Sequence, residues 1–354
     1  MLIDSEKLQQ FVSAIFVSGG AEFSVAQETA KHLVLANLKG HDSHGVGMVP
    51  TYIQNLRAGT LNPTAHAKTI RDSGSVILID GQFGFGQIVG KEATDIAVTR
   101  VKENGLACIG LRNAHHLGRI GTYGEIAGAA GFVSMHFVNV VGHEPRVSPY
   151  AGTEARLQTN PFCCVVPRDR NEPIVLDMAT SAIALGKVRV AYNAKKEVPD
   201  GALVDHEGNP TNDPRVIYEK PSGTLGPFGK HKGYGLAFMC ELLGGGLVGE
   251  WTMQPDNQRV GTIVNHMLMV VLDPDLFGGH ARFQSEVSSM IDYVQSTQVA
   301  AGHDKVRIPG EPELESMEDR LSNKIPIDNT SWNEILDAAK LIGMQPKDID
   351  RLTI

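Results

Sequence analysis

Apolar residues in the first sixty positions recur at helical spacing. Leu8, Phe11, Val12, Ile15 and Phe16 fall on one face, behind Ser5 as a helix start and ahead of Gly19-Gly20 as a stop. Ser24 with Gln27 forms a capping-box pattern for a second helix, which carries Ala26, Ala30, Leu33 and Val34 on one stripe and ends at Gly40. Pro50 opens a short third helix through Tyr52 and Leu56, stopped by Gly59. From about residue 75 the pattern changes to short β-branched runs. Segments 75–80, 106–111, 132–138, 162–166, 174–177 and 266–272 read as strands, with helices over about 91–104 and 234–247. Helical texture returns near the end, where Ser331 and Glu334 precede Ile335, Leu336, Ala339 and Ile342. This alternation predicts an α/β domain at 75–304 with one large sheet. The two chain ends, 1–74 and 305–354, are expected to form a helical subdomain.

Composition narrows the class. The chain has 354 residues, 42% of them hydrophobic, enough for a large core. It carries 32 Lys and Arg against 40 Asp and Glu with no basic run, so no nucleic-acid partner is expected. No apolar run approaches the ~20 residues of a membrane span, and the first residues lack a signal-peptide pattern. The expected location is cytoplasmic. Cys108, Cys163, Cys164 and Cys240 include no C-x-x-C pair and read as reduced thiols.

Two histidine clusters carry the candidate chemistry: His41-Asp42-Ser43-His44-Gly45 and His115-His116-Leu117-Gly118. Each opens into a glycine-containing loop at the end of a predicted element, where a side chain that titrates near neutral pH can reach a substrate. Acid/base catalysis, metal ligation and simple core packing all remain readings of these residues, although their spacing matches no standard zinc pattern and no metal is expected. Gly84-Phe85-Gly86-Gln87-Ile88-Val89-Gly90 lies between a predicted strand and helix. It reads either as a dinucleotide-binding turn or as a tight turn, and the acidic residue expected about 20 residues on in the former is missing. Lys232, at the start of a helix between His231 and Gly233, offers a point charge for phosphate or is an ordinary solvated lysine. Pro309-Gly310-Glu311 places an acid after a turn. No G-x-S-x-G elbow supports nucleophilic catalysis.

Taken together, Asp42-Ser43-His44-Gly45, His116-x-Gly118, Thr159-Asn160-Pro161, Asp177-Met178-Ala179-Thr180-Ser181, Lys232-Gly233-Tyr234-Gly235 and Pro309-Gly310-Glu311 resemble the malate/L-lactate dehydrogenase family, in order and across nearly the whole chain. The resemblance implies a large mixed sheet flanked by helices, of L-sulfolactate dehydrogenase type and not Rossmann, in a homodimer. It implies an NAD- or NADP-dependent oxidoreductase of 2-hydroxy and 2-oxo acids. A cyclic 2-imino acid reductase and a nicotinamide-binding protein without turnover are its rivals. It places His44 and His116 in acid/base roles and Ser43 at the substrate. It places His143, Asp177, Met178, Ala179, Lys232, Pro309, Gly310 and Glu311 at the cofactor. Many relatives have an arginine where this chain has Met48. A thioether cannot replace a bidentate guanidinium, so a substrate carboxylate must find Arg119 or Arg146 instead, in a more apolar pocket.

Overall fold

The structure is a computed structural model and describes residues 1–193 and 195–353. Three helices come first: α1 (Ser5–Ser18), α2 (Phe23–Leu38) and α3 (Val49–Ala58). The edge strand β1 (Lys68–Ser73) and β2 (Val76–Asp80) follow, then α4 (Gly86–Asn104), β3 (Leu106–His115) and α5 (Gly121–Ala129). Strands β4 (Val133–Val141), β5 (Phe162–Val166) and β6 (Ile174–Met178) lead to α6 (Leu185–Asn193) and α7 (His231–Cys240). The chain then returns as β7 (Val264–Leu272) and closes with α8 (His280–Gln295), α9 (Glu311–Asn323) and α10 (Asn329–Leu341).

The seven strands form one sheet in the order β1-β2-β3-β7-β4-β5-β6. Only β2 and β3 run parallel; every other neighbouring pair is antiparallel. The sheet is therefore mixed, as the family resemblance implies and unlike the parallel sheet of a Rossmann domain. All six expected strands are present. The unexpected one, β1, is exposed along its whole length and so shows no apolar alternation; its pairing with β2 holds it in place.

The main core runs without a break from the helices into the sheet. Phe11 and Phe16 of α1, Leu33 of α2, Val89 and Ala93 of α4, Ile109 and Leu111 of β3, and Met267 and Met269 of β7 are buried together. The two chain ends meet where Leu2–Ile3 pairs with Ile325–Pro326 and where Trp332 packs on Phe11, ring centroids 5.6 Å apart. A second core, built on Val147, Leu157, Val188, Leu203 and Leu225, underlies the chain between β4 and β7.

At two helix starts an acidic residue upstream displaces the expected serine. Asp4, not Ser5, caps α1 by accepting from the Glu6 and Lys7 amides. Asp328, not Ser331, caps α10. Helix α2 begins at Phe23 with no side-chain cap, so Ser24 and Gln27 form no capping box there. Helix α7 begins at His231 and continues past Cys240 as a π-helical segment, Glu241–Leu247.

The largest difference lies at the glycine motif. Helix α4 starts at Gly86, inside the motif, and its first turn is packed by protein. A Cβ on Gly86 would lie 2.6 Å from the His115 carbonyl oxygen and closer still to that of His116. A Cβ on Gly84 would meet Ala65 at 2.8 Å, and one on Gly90 would meet the Tyr123 ring at 2.7 Å. The three glycines admit backbone and an aromatic ring, and leave no room there for a pyrophosphate. Gly86→Ala must therefore push the end of β3 away from α4. We expect it to cost about 1–3 kcal/mol, the usual size of an overpacking defect, measured by denaturant unfolding. A loss below ~0.5 kcal/mol, the scatter of an innocuous surface change, would show that the helix start has room to spare.

Candidate active site

The first histidine cluster is a single 3-10 turn, Asp42–His44, placed just after α2. Asn37 holds it from below: its amide donates to Asp42 Oδ1 at 2.7 Å, and its carbonyl oxygen accepts from the Val46 amide at 2.8 Å. A Cβ on Gly45 would overlap this Asn37 amide, so only glycine fits. From the far end of the chain, Arg320 on α9 grips the Asp42 carboxylate with two bonds, at 2.6 and 3.0 Å, and also donates to the Asn37 carbonyl. His41 meets Glu313 of the same helix at 3.2 Å. Ser43 Oγ lies 3.2 Å from His44 Nδ1.

The second cluster separates into two roles at the end of β3. His115 turns inward. Its Nε2 lies 2.9 Å from Asn55 Nδ2 and 3.0 Å from Thr262 Oγ1, and burial pushes its pKa down to about 3. It is a core histidine. His116 turns outward, half-buried, with Nδ1 2.8 Å from the Tyr52 hydroxyl. Its ring stacks on His44, centroids 5.6 Å apart and planes 20° from parallel. Burial pushes the His44 pKa down to about 4, helped by the charges of His41 and Arg119. Burial also lowers His116 well below its ordinary value, with His44 the next cause. His143 acts on His116 in the same sense; its own Nδ1 lies 2.9 Å from Gln158 Nε2. At neutral pH the pair His44 and His116 is thus uncharged, in contact, and drawn from segments 72 positions apart. Their nitrogens engage separate partners, and among the described residues no three His, Cys, Asp or Glu side chains are grouped as metal ligands.

Beside this pair lies a buried cluster of charges. Arg119 is 2% exposed. Its Nη2 donates to Glu125 at 2.8 Å, Lys39 reaches the same Glu125 oxygen at 2.6 Å, and Asp177 stands 3.9 Å from Arg119 Nε. Burial pushes Glu125 up, but the two cations outweigh it and hold the carboxyl below its usual range. Burial dominates at Asp177 and raises it, although its Oδ2 accepts from the Gly121 amide at 2.7 Å. Arg119 Nε and Nη1 are buried with no hydrogen-bond acceptor. Arg146 is exposed, on the wall of a separate cleft with Thr153, Glu154 and Ser222. Met48 ends the turn Val46–Met48 and packs half-buried against the main core.

The remaining sequence-predicted residues gather along the edge strand β6. Asp177 and Met178 end that strand, and Ala179 follows. Val175 donates to the Pro309 carbonyl at 3.2 Å, which lays the Pro309-Gly310 turn beside them; Gly310 sits at φ +98°. The Glu311 carboxylate accepts from the Ile308 amide at 2.8 Å and from Gln295 at 3.1 Å. Thr180 donates to the Thr159 carbonyl, and its own carbonyl accepts from the Phe228 amide at 3.0 Å. That bond brings the start of α7 to the same edge. Lys232, in the first turn of α7, is exposed, and its ammonium makes no ion pair among the described residues. Tyr52, Gln87, Glu125 and Lys39 were not legible as site residues. Only the inward position of Tyr52 on its helix could be read, and its partner lies 64 positions away.

In this arrangement neutral histidines adjoin a buried guanidinium, and comparison with known proteins gives the class of the chain. Residues 3–336 match the family model for malate/L-lactate dehydrogenase, and the chain belongs to that family of 2-hydroxy acid dehydrogenases. It is 42% identical over 346 residues to hydroxycarboxylate dehydrogenase B of Escherichia coli K12, covering 96% of this chain and 94% of that one. It is 39% identical over 345 residues to an L-lactate dehydrogenase of Cupriavidus necator, covering 97% and 99%. The solved sulfolactate dehydrogenase of Methanocaldococcus jannaschii superposes with a TM-score of 0.87 at 31% identity, over 98% and 99% of the two chains. Among the described residues no helix is long and apolar enough to cross a membrane.

The charge cluster makes a stability prediction. Arg119→Met leaves Glu125 with Lys39 alone and removes the one ion-pair partner Asp177 has among the described residues, and breaking a buried pair from one side costs about 3–5 kcal/mol. In the variant the pKa of folded Glu125 rises above its unfolded value, so the folded state binds the extra proton and gains stability as pH falls. The penalty, read from urea midpoints, should be clearly smaller at pH 5 than at pH 8. An equal penalty at both would mean that Glu125 does not depend on Arg119.

Proposed function

We propose that this protein interconverts 2-hydroxy acids and 2-oxo acids with NAD or NADP, using His44 and His116 for proton transfer. The observation that carries the reading is the stacked, neutral His44–His116 pair beside a buried arginine with two unengaged donors. General acid/base chemistry near pH 7 needs groups that exchange a proton in reach of the substrate, and histidine supplies them. Ser43 lies beside His44 to orient it or the substrate. For the substrate carboxylate, Arg119 is the stronger candidate: its Nε and Nη1 are already dehydrated and lack acceptors, whereas Arg146 is solvated and set in a different cleft.

The residues at the β6 edge suit a dinucleotide. The Lys232 ammonium, which makes no ion pair among the described residues, fits a pyrophosphate at the start of a ten-residue helix through its charge, since the Lys232, Gly233 and Tyr234 amides already donate to the Gly229, Phe228 and Lys230 carbonyls. Asp177, Met178 and Ala179 on one side, and Pro309 and Gly310 on the other, would line the groove, with His143 nearer the histidine pair. Glu311, engaged with Ile308 and Gln295, would shape the Pro309-Gly310 turn. When bound, the nicotinamide would supply or accept the hydride at C2 of the acid. The active form in this proposal is a cytoplasmic homodimer acting on a small acid, with no nucleic-acid or membrane partner.

Two outcomes test the reading. His44→Ala and His116→Ala should each lower kcat for 2-oxo acid reduction by about 10²–10⁴, the usual worth of general acid–base catalysis, followed by nicotinamide absorbance. Full activity in both would refute the assignment, and turnover of cyclic 2-imino acids alone would move the protein to the imine-reductase reading. Met48 makes the second. It offers an apolar, polarisable contact in place of a guanidinium, so phenylpyruvate should show a higher kcat/KM than oxaloacetate. Met48→Arg should shift that ratio toward the dicarboxylate by roughly tenfold, about 1.4 kcal/mol. A wild-type preference for oxaloacetate would contradict the substrate assignment.

A further inference from the structure

Behind His116 stands a group that carries no charge. Tyr52 of α3 is completely buried. Its ring is wedged between Phe16 and Phe85, with centroids 6.1 Å from each, and meets His115 edge-on at 5.2 Å. Only its hydroxyl is left for polar contact, and it lies 2.8 Å from His116 Nδ1 and 2.8 Å from Gln87 Nε2. Gln87, on the first turn of α4, is 1% exposed. Its Nε2 also lies 3.2 Å from the His116 carbonyl oxygen.

These four atoms determine the direction of every bond. A main-chain carbonyl can only accept, so the nitrogen end of the Gln87 amide must face it. That same nitrogen donates to the Tyr52 oxygen. The phenol has one proton, and with the Gln87 bond already accepted, that proton points to His116 Nδ1. Nδ1 is then an acceptor, and in the neutral ring the proton sits on Nε2. Nε2 has no protein partner among the described residues and is not one of the buried unsatisfied atoms, so it opens to the site.

We propose that Tyr52 is the positioning residue for His116: its hydroxyl, oriented by Gln87, holds Nδ1 as acceptor and so presents Nε2–H as a hydrogen-bond donor to the oxygen on C2 of the substrate, while the proton of the alcohol passes between that oxygen and the adjacent His44, which exchanges it with solvent. The proposal rests on the reading of His116 as a catalytic residue. A carboxylate in the place of Tyr52 would favour the imidazolium; a phenol favours neither charge state strongly, and burial holds this phenol in its protonated form. The groups that act on His116 from the surrounding elements are His44 from its turn, His115 from β3, His32 from α2 and His143 from the loop after β4, each with its pKa lowered by burial. None offers Nδ1 a negative charge, so at neutral pH the ring is a neutral hydrogen-bond donor with one defined tautomer.

Two measurements decide it. The first is the ¹⁵N spectrum of His116 in the wild-type protein, labelled at histidine and assigned by loss of the signal in His116→Ala. At neutral pH it should report a proton on Nε2, and in Tyr52→Phe a mixture of the two tautomers. A proton on Nδ1 in the wild type overturns the proposal, whether or not the variant folds. The second is kinetic. Tyr52→Phe keeps the ring in its cage and removes only the hydroxyl. It should lower kcat for 2-oxo acid reduction by about tenfold to a hundredfold, as for one lost hydrogen bond at a buried polar group. The cofactor KM should stay close to wild type, and the unfolding midpoint should fall by no more than one unmade buried hydrogen bond accounts for. Placed on His116→Ala, the same substitution should change kcat by less than about twofold, because a residue acting through His116 has nothing left to act on. Equal losses in both backgrounds would show that Tyr52 acts independently of His116. Full activity in His116→Ala alone would instead remove the catalytic reading of His116, while the tautomer still judges the hold of Tyr52 on the ring.

Discussion

The contact between the first turn of α4 and the last residues of β3 fixes the site. At Gly86 the helix backbone approaches the carbonyls of His115 and His116 more closely than any side chain would allow. The His115 amide donates to the Gly84 carbonyl at 3.0 Å, and the Tyr123 hydroxyl bridges the carbonyls of Gly86 and Leu117. The Asn265 side chain of β7 accepts from the Leu117 amide at 2.8 Å. A chain emerging from a strand would ordinarily be a loose loop; here its backbone groups are held one after another. With that backbone held, adjacent side chains take opposite roles. His115 is committed to the core and His116 to the opening, and Gln87 reaches both Tyr52 and the His116 carbonyl. Catalytic geometry needs this kind of support, since side chains displaced by about 1 Å lose much of their effect.

The cluster of Lys39, Glu125, Arg119 and Asp177 supplies the second constraint. Buried ion pairs rarely add net stability, because the desolvation of each charge offsets the attraction between them. This cluster therefore needs a reason other than stability. It joins the end of α2, the start of α5 and the end of β6, three elements that carry site residues. It also keeps a guanidinium dehydrated with two donors left over. The Asp42–Arg320 pair differs in kind: Asp42 is half exposed, and the pair works through its two-bond geometry, which ties the Ser43-His44 turn to α9 at the other end of the chain.

The glycine motif shows how one local pattern serves two ends. Glycines after a strand and before a helix mark a place where something approaches the backbone closely. In a dinucleotide fold the approaching group is a pyrophosphate; here it is the chain's own carbonyls at Gly86, Ala65 at Gly84 and the Tyr123 ring at Gly90. The local requirement is identical, so the motif alone could not separate the two. The lysine-bearing start of α7 and the edge of β6, distant in sequence, are where the proposed function puts the dinucleotide.

Periodicity and turn residues were enough to read most elements from the chain itself, because burial of a face and termination at glycine are local properties. Six of the seven strands and the main helices were legible in this way. The exception, β1, has a polar, exposed sequence and exists only through its neighbour. The motif order was likewise enough to indicate the family, since His44, His116, Asp177, Lys232 and Gly310 each stand in a recognisable local setting. Which histidine faces the core and which cation is buried depended on partners far along the chain. Tyr52 meets His116 across 64 positions, Lys39 meets Glu125 across 86, and Arg320 meets Asp42 across 278. A single sequence records the residue types at both ends of such a contact but not the contact itself. The protonation state of a histidine depends on its surroundings, and only the folded chain supplies them.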